Sequence, residues 1–276
     1  MIRRPPRSTL DRSSAASDVY KRQALHRHNS EQYEKSIKRA EDWIIGMQSS
    51  NGGWEAFDVE NEYYFLDNLP FADHGALLDP PTCDVTARCI SFLAQVGYKI
   101  DHTSIFKGIK YLKDKQEEDG SWFGRWGVNY IYGTWQALKG LMTVGINPDE
   151  DYVRHAVSFL KNHQNEDGGW GESCRSYDDT SCAGKGETTA SQTAWALMGL
   201  IAAGETDSPE AQRGVRYLID HQDADGDWTE KCWTGTGFPR VFYLKYHMYS
   251  LYFPLFALGM YTVSYTHLTL PTSDLV

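Results

Sequence analysis

The segment QEEDGSWFGRWGVNYIYGTW, from Gln116 to Trp135, decides the fold and contains most of the chemistry that the sequence offers. Its twenty residues include three tryptophans, one phenylalanine, two tyrosines and four glycines, and its acidic residues all precede the first tryptophan. A plain core helix does not carry glycine at this density, whereas glycine lets the backbone approach bulky rings closely. The segment therefore predicts one wall of a large cavity that is lined by aromatic rings.

The first seven residues of this segment belong to a pattern that occurs four times. A small residue is followed by an aromatic and an aliphatic residue, then by Gln, and then by Gly and Trp four and six positions after the Gln. The Gln and Trp residues are Gln48 and Trp54, Gln116 and Trp122, Gln164 and Trp170, and Gln222 and Trp228. The pattern predicts a helix that ends at the glycine, because glycine tolerates the left-handed conformation. We expect a structural role, in which the Gln amide binds backbone groups freed at the helix end and the Trp ring covers it.

A second and more apolar helical pattern follows each repeat, at residues 85–96, 134–144, 191–203 and roughly 246–261. Polar-faced helices that alternate with apolar ones predict an all-α fold, a partial (α/α)6-type toroid of alternating outer and inner helices. Four pairs are too few to close a ring of six. The loops at residues 57–84 and 172–189 are longer than ordinary connections, so we expect them to be functional or to wrap the ends of the toroid.

The composition argues against several other classes of protein. A formal net charge of −10 and a pI near 5.4 leave no basic surface for nucleic acid. No stretch approaches the ~20 apolar residues of a membrane-spanning helix, and we identify no signal peptide. The five cysteines have neither Cys-x-x-Cys nor Cys/His ligand spacing, so we expect reduced thiols in a cytosolic setting and no metal site.

The two ends of the chain differ from the rest. Residues 1–23 contain six Lys or Arg against two Asp, and like residues 263–276 they lack apolar periodicity. The strings MIRRPPRSTLDRSSAASDVYKRQ and VSYTHLTLPTS resemble translated sequencing-adapter sequence. We therefore expect both ends to be foreign, disordered tails of a reading frame truncated at its start, and the domain to cover residues 24–262.

Six motifs, in order between about Arg39 and Tyr261, together resemble one family. They are QSSNGGW, FADHGALLDPPT, DGSWFGRWGVNYIYGTW, QNEDGGWGESCRSY, TASQTAWALMGL and TGTGFPRVFYLKYHMY. They are similar to the C-terminal part of bacterial squalene–hopene cyclases, in the triterpene cyclase superfamily. The resemblance implies an isomerase that protonates squalene or a similar polyprenoid hydrocarbon and guides a carbocation cascade, with no cofactor or metal. It also implies a parent protein on the cytoplasmic side of a bacterial membrane, bound peripherally, and it leaves a homodimer open.

The family's cavity-lining aromatic residues fall on a set of seven positions in this chain. They are Phe57, Trp126, Tyr132, Phe238, Phe242, Tyr246 and Tyr249. The faces of such rings attract a cation without capturing it as a carboxylate would. The last four are spaced i, i+4, i+8 and i+11, which predicts one face of a helix and fits ordinary core packing as well. Pro254 would interrupt a continuous helix here and favours a loop in part of this stretch.

Asp84 and Arg88 are the candidate charged residues, spaced so that they can pair on one face at the start of an apolar helix. An ordinary helix-terminal salt bridge explains this spacing equally well. In the family this position supports the catalytic acid, and some members have His where this chain has Arg88. A guanidinium cannot relay a proton, but it can hold a carboxylate network. The family's proton donor lies in an Asp-x-Asp-Asp motif that this sequence lacks, so we expect the chain to be inactive alone.

Three other functions remain as alternatives. A carbohydrate-active α/α toroid would need two carboxylates facing each other across a cleft. A protein prenyltransferase β-subunit would need an Asp/Cys/His zinc set, which has no credible spacing here. A non-catalytic helical-repeat fragment that only binds a partner would need neither. The aromatic residues lie among apolar helices with few acids, and this favours a hydrocarbon substrate.

Overall fold

The computed structural model describes residues 30–63, 65–66, 69 and 78–269. The outer helices each contain the first part of one repeat: α1 (Ser30–Gly46), α3 (Thr103–Asp114), α5 (Asp151–Asn162) and α7 (Pro209–Asp220). Each ends two residues before the Gln and six before the Gly of its repeat, so the predicted helix end at the glycine is wrong, and the glycine turns the chain after the helix has ended. The inner helices follow them: α2 (Cys83–Gln95), α4 (Tyr130–Thr143), α6 (Ala190–Ala202) and α8 (Tyr249–Thr269). A two-stranded sheet, β1 (Gly235–Phe238) and β2 (Phe242–Leu244), precedes α8. The chain is therefore mostly helical, as predicted, and the all-α assignment is wrong at this sheet.

The two sets of helices differ in burial, in the way that their sequences predict. The outer helices keep one face in solvent, while α2, α4 and α6 are buried along nearly their whole length. The inner helices pack against one another in chain order, α2 on α4, α4 on α6 and α6 on α8. All four predicted inner segments are helical, with ends that differ by a few residues. The predicted C-terminal tail begins inside α8, and the predicted N-terminal tail lies outside the described residues.

The Gln side chain of each repeat makes the predicted hydrogen bond across its own turn. Its Nε2 donates to the carbonyl oxygen of the glycine four residues later, at 2.7–3.0 Å in all four copies. These glycines have φ between 84° and 94°, the left-handed conformation that the pattern predicts. The first three Gln residues also donate to the second residue of the next outer helix, namely to the carbonyl oxygens of Ser104, Tyr152 and Glu210.

The Trp of each repeat connects its own outer helix to the following inner helix. The four indole N–H groups donate at 2.6–2.8 Å to the carbonyl oxygen ten residues earlier, in Ile44, Leu112, Leu160 and Leu218. The backbone N–H groups of the first three tryptophans donate to threonine hydroxyls of the next inner helix, in Thr86, Thr134 and Thr193. All four rings are buried. The small residue of the pattern makes room for the preceding Trp, because a Cβ on Gly214 would lie 2.7 Å from the Trp170 ring.

The predicted helical stripe from Phe238 to Tyr249 is wrong. Phe238 lies on β1 and Phe242 on β2, Tyr246 lies between β2 and α8, and Tyr249 is the first residue of α8. The strands pair antiparallel and are joined through Arg240, whose φ is 71°. A Cβ on Gly237 would lie 1.9 Å from the Phe242 ring. The glycine therefore accommodates a cross-strand ring, and the i, i+4 spacing arises from a tight hairpin.

Pro254 does not interrupt the last helix, contrary to the prediction. α8 begins at Tyr249 and continues through Pro254 to Thr269. Proline at this position removes one backbone hydrogen bond, the one toward residue 250. Phe253 and Ala257, on either side of it, are buried, and α8 packs along α6. Packing on both sides of the proline holds the helix together across the missing bond.

We predict that replacing Gln116 with Ala destabilises the fold by about 2 kcal/mol, because two backbone acceptors lose their donor. Gln222→Ala is the matched control, since the described contacts of Gln222 include its own turn and no next outer helix. We expect the control to lose less than ~1 kcal/mol. Urea unfolding followed by circular dichroism measures both values. Equal losses at the two positions would show that the link between outer helices contributes nothing.

Glu55 gives the fold a pH dependence of known sign. Its buried carboxylate accepts from the Ser49 hydroxyl at 3.0 Å and from the Asn61 backbone N–H at 3.2 Å. The pKa of Glu55 is raised to about 7 in total. Burial is the largest cause, the charges of Glu60 and Glu62 add to it, and the hydrogen bonds from Asn61 and Ser49 oppose it. The folded state thus binds more protons than the unfolded state between about pH 4.5 and 7. The free energy of unfolding must fall as the pH rises through this interval.

We predict that Glu55→Gln removes this fall, which should amount to about 1–3 kcal/mol in the wild type. Urea unfolding at pH 5 and pH 7.5 gives the difference for each protein. Glu166→Gln is the matched control, because Glu166 is exposed in the turn of the third repeat. A Glu55→Gln protein that keeps the wild-type pH dependence would assign the effect to another group.

Candidate functional site

The N-terminal ends of the inner helices lie side by side, and the candidate site is at this end. Asp84, in the first turn of α2, accepts from the backbone N–H of Trp126, which precedes α4. Gln192, in the first turn of α6, donates to the carbonyl oxygen of Val128 at 3.0 Å. Loops that enter the inner helices therefore meet here, and they bring the segment from Gln116 to Trp135 to the hairpin.

Trp126 is at the centre of the first group of predicted residues. The Phe57 ring stands edge-on to it, with centroids 6.0 Å apart, and Phe57 itself is 55% exposed. The Arg125 guanidinium lies 4.4 Å from the Trp126 ring centroid and 5.9 Å from that of Phe238. Phe238 in turn contacts Phe242 at 5.3 Å. The structure thus brings four of the seven predicted aromatic residues together around one arginine.

Two buried carboxylates lie next to this group. Asp84 is completely buried, and its Oδ2 accepts the Trp126 backbone N–H at 3.0 Å. Asp79 accepts from Arg125 Nε at 3.1 Å. Burial raises the pKa of Asp79, the Arg125 charge opposes this, and the Asp84 charge raises it further. Within the described residues, Asp79 Oδ2, Asp84 Oδ1 and Trp126 Nε1 are buried without a hydrogen-bond partner.

Tyr132 is at the centre of a second group, inside the helical layer. Its hydroxyl accepts from Nη2 of Arg88, which is one turn after Asp84 on α2. Glycines make room for its ring, since a Cβ on Gly127 would lie 2.5 Å from it. The Trp195 ring packs against it with centroids 4.9 Å apart. Asp84 and Arg88 thus have different described partners, one in each group, and the predicted pairing between them stays a prediction.

Tyr249 and Tyr246 extend the second group toward the surface. Tyr249 packs edge-on against Trp195 at 5.8 Å, and Tyr246 lies 4.7 Å from Tyr249. Tyr246 is 42% exposed, like Phe242 on the hairpin at 40%. The seven predicted aromatic residues therefore range from buried Tyr132 to an open rim. Their roles as cavity walls stay predictions.

Four residues that hold the site were not identified from the sequence. Arg125 and Asp79 are described above, and the other two come from the second long loop. Glu172 Oε2 accepts the backbone N–H groups of Asn129 and Ile131 at the start of α4. The Tyr177 hydroxyl lies 2.6 and 2.9 Å from the carbonyl oxygens of Gly124 and Gly127. Burial raises the pKa of both side chains. The sequence carried a signal for one of the four residues, because Arg125 is a charge inside an aromatic segment, and this signal was not used.

The described residues offer no group of three or more His, Cys, Asp or Glu side chains that could hold a metal ion. All five cysteines are free, and burial raises the pKa of Cys83 and Cys89. A search of the described helices found none that is both long and apolar enough to cross a membrane.

Comparison with known proteins identifies the family. The model of the squalene–hopene cyclase C-terminal domain matches residues 10–263, and so includes residues 10–23 of the segment that we set aside as foreign. The squalene–hopene cyclase of Alicyclobacillus acidocaldarius is 59% identical over 79% of this chain and 35% of its own length. That of Zymomonas mobilis is 53% identical over 91% and 37%, and that of Schizosaccharomyces japonicus 58% over 86% and 36%. The chain spans just over a third of these relatives.

Solved structures share the fold at low sequence identity. The type II terpene cyclase MstE from Scytonema has a TM-score of 0.61 at 16% identity, covering 93% of this chain and 75% of its own. A possible member of the GH105 family from Salmonella enterica has a TM-score of 0.59 at 14% identity, covering 91% and 71%. At these identities the likeness shows the fold alone, and the family is shown by the sequence match. The chain belongs to the squalene–hopene cyclase family and corresponds to the C-terminal domain of those proteins.

Proposed function

We propose that this chain supplies one wall of the cavity in which a squalene–hopene cyclase folds and cyclises squalene. One observation carries the proposal: aromatic rings converge on two buried carboxylates at the common end of the inner helices. Trp126, Phe57, Phe238 and Phe242 contribute the rings, and Asp79 and Asp84 are beside them. A plain core would have no reason to collect acids at this place.

The three unpartnered buried atoms support this proposal. Asp79 Oδ2, Asp84 Oδ1 and Trp126 Nε1 have no hydrogen-bond partner among the described residues. Buried polar atoms are normally satisfied, so two open acceptors and one open donor on neighbouring residues favour a further polar partner here. A carboxylic acid supplied by another part of the longer protein would satisfy both kinds of atom. We propose that the proton-donating acid docks here.

The chemistry that we propose needs little from this chain beyond shape and electrostatics. The acid protonates a terminal double bond of squalene, which leaves a carbocation on the neighbouring carbon. Successive double bonds then attack the cation, and each new ring moves the positive charge along the chain until the last cation loses a proton, or adds water and then loses one, to give a neutral product. Rings such as Trp126 and Phe238 stabilise the charge by about 0.5–2 kcal/mol each when water is excluded. Unlike a carboxylate, they neither bond to the cation nor remove its proton.

Arg88 and Asp84 take supporting parts in this proposal. Arg88 donates to the Tyr132 hydroxyl, and Asp84 binds the Trp126 backbone N–H. Both side chains start from α2, so one rigid helix fixes a member of each aromatic group. Arg88 keeps its proton throughout and holds the Tyr132 hydroxyl in place. The donor acid must then recover its proton by a route that does not pass through Arg88.

We propose further that the helices form part of an (α/α)6-type toroid with the four Gln/Trp repeats on its outer ring. The open side of α8 supports this. Tyr252, Leu255 and Phe256 are exposed on it, and residues 249–262 contain no Asp, Glu, Lys or Arg. A helix that is apolar all round belongs in a core, so α8 requires a neighbour on this side. A further inner helix of the longer protein would supply it, and we place that protein peripherally on a membrane, as its family implies.

We predict that the purified chain alone forms no hopene from squalene, because its sequence contains no Asp-x-Asp-Asp acid. We also predict that residues 30–263, exchanged for the matching part of the Zymomonas mobilis relative, give an active hybrid enzyme. Gas chromatography of the lipid extract measures both. Turnover by the isolated chain would refute the first expectation. A folded hybrid that binds oligosaccharides but no squalene analogue would favour the carbohydrate-active alternative.

We predict that Trp126→Leu lowers the cyclisation rate of this hybrid by about 30-fold, which corresponds to ~2 kcal/mol of lost cation stabilisation. Trp126→Phe should retain part of the rate, because it keeps an aromatic face. Trp43→Leu is the matched control, since Trp43 is 42% exposed on the outer helix α1. A loss in the control as large as that at Trp126 would mean that the ring acts through stability and not on the cation.

A further inference from the structure

We infer that Arg125 is a positioning residue, which fixes the rings of Trp126 and Phe238 and, with its charge balanced by Asp79, keeps them attractive to a cation. The inference rests on the proposed role of these rings as cavity walls. It assigns a task to a residue that the sequence motifs leave unexplained, namely a buried arginine in the middle of an aromatic segment.

The contacts of Arg125 join three separate segments. Arg125 is 8% exposed and lies between Gly124 and Trp126 in the segment before α4. Nε donates to Asp79 Oδ1 at 3.1 Å, in the first long loop. Nη1 donates to the carbonyl oxygen of Gly237 on β1 at 2.9 Å. The guanidinium lies 4.4 Å from the Trp126 ring centroid, within stacking distance. One side chain therefore sets the relative placement of a loop, a ring and a strand.

The backbone around Arg125 reinforces this arrangement. The Thr236 hydroxyl donates to the carbonyl oxygen of Arg125. Gly127 and Gly235 form an isolated antiparallel bridge, and the Val128 N–H donates to the Thr234 carbonyl oxygen at 2.9 Å. The loop and β1 thus behave as one paired unit. With the backbone held, the tilt of the Trp126 ring depends on two described side chains, the exposed Phe57 and the buried Arg125.

The charge of Arg125 requires a balance in a site that would bind a carbocation. A guanidinium beside Trp126 uses the same π-electrons that would attract a substrate cation, and its positive charge would repel that cation. Asp79 neutralises it at hydrogen-bond distance, in a buried place where charges are weakly screened. Lysine cannot replace arginine here, because only a planar fork can stack on a ring and donate in two directions at once.

Fluorine NMR of the full chain labelled with 5-fluorotryptophan tests this inference. Nine tryptophans give nine signals, and Trp126→Phe identifies the signal of Trp126. The test variants are Arg125→Lys, which keeps the charge, and Asp79→Asn, which keeps the shape. Arg154→Lys is the matched control, because Arg154 forms its ion pair with Glu205 on an outer helix.

We expect the Trp126 signal to move by more than its linewidth in Arg125→Lys and, to a smaller extent, in Asp79→Asn. The signals of Trp54, Trp122, Trp170 and Trp228 should stay in place, and the control should leave all nine unchanged. If Arg125→Lys unfolds and the nine signals lose their dispersion, the test rests on Asp79→Asn, in which the Trp126 signal must still move by more than its linewidth. An unchanged Trp126 signal in the folded variants overturns the inference.

A separate titration tests the proposed cavity and does not depend on this result. Dodecyltrimethylammonium, kept below its micelle concentration, combines a hydrocarbon chain with a permanent cation. We expect it to shift the Trp126 signal of the wild-type chain and to bind several-fold more weakly to Arg125→Lys. If the probe leaves the Trp126 signal of the wild-type chain unchanged, the cavity proposal is contradicted. The movement of the Trp126 signal between wild type and Arg125→Lys still decides whether Arg125 positions the ring.

Discussion

The structure depends on the hydrogen bonds by which each of the first three Gln/Trp turns connects three helices. The indole N–H of Trp122 binds the last turn of its own outer helix, the backbone N–H binds Thr134 of the next inner helix, and Gln116 reaches Tyr152 of the next outer helix. Backbone groups that a helix end would leave open are thereby used to fix the next pair. The angle between successive pairs is set by these bonds more than by apolar packing, which is not directional.

This construction places all inner-helix N-termini at one end, and it creates an electrostatic problem there. Free N–H groups and the positive ends of helix dipoles collect in one apolar region. At α4, Glu172 accepts two backbone N–H groups, those of Asn129 and Ile131. At α6, Glu230 accepts the backbone N–H and the hydroxyl of Ser191. These two glutamates are committed to helix ends. Asp79, Asp84 and Glu172 each keep one buried carboxylate oxygen without a described hydrogen-bond partner, and of these Asp79 and Asp84 lie beside the rings around Trp126.

The sequence predicted the repeated elements well, because each depends on spacing within about fifteen residues. The inner helices follow from apolar periodicity and the left-handed glycines from local turn chemistry, whereas the outer helices end six residues before these glycines and not at them. The hairpin was missed because a spacing of four between Phe238 and Phe242 fits a tight β-turn as well as a helix. Pro254 was misjudged because tertiary packing offsets one missing hydrogen bond. Arg125 with Asp79, 46 residues apart, and Glu172 with α4 could not be predicted, since a sequence does not show which distant loops meet.

The site is therefore a compromise between two demands on charge. A hydrocarbon cation needs rings and an apolar wall, whereas the loops that carry those rings need polar contacts to hold them. Arg125 holds the Trp126 ring with a stacked guanidinium. Its pairing with Asp79 balances the positive charge, which would otherwise repel a hydrocarbon cation. Arg88 likewise binds Tyr132 at its hydroxyl, with the guanidinium carbon 5.6 Å from the ring centroid. Each guanidinium therefore contacts a ring that we propose for the cavity wall, and at Trp126 the pairing with Asp79 balances the charge that lies on the ring.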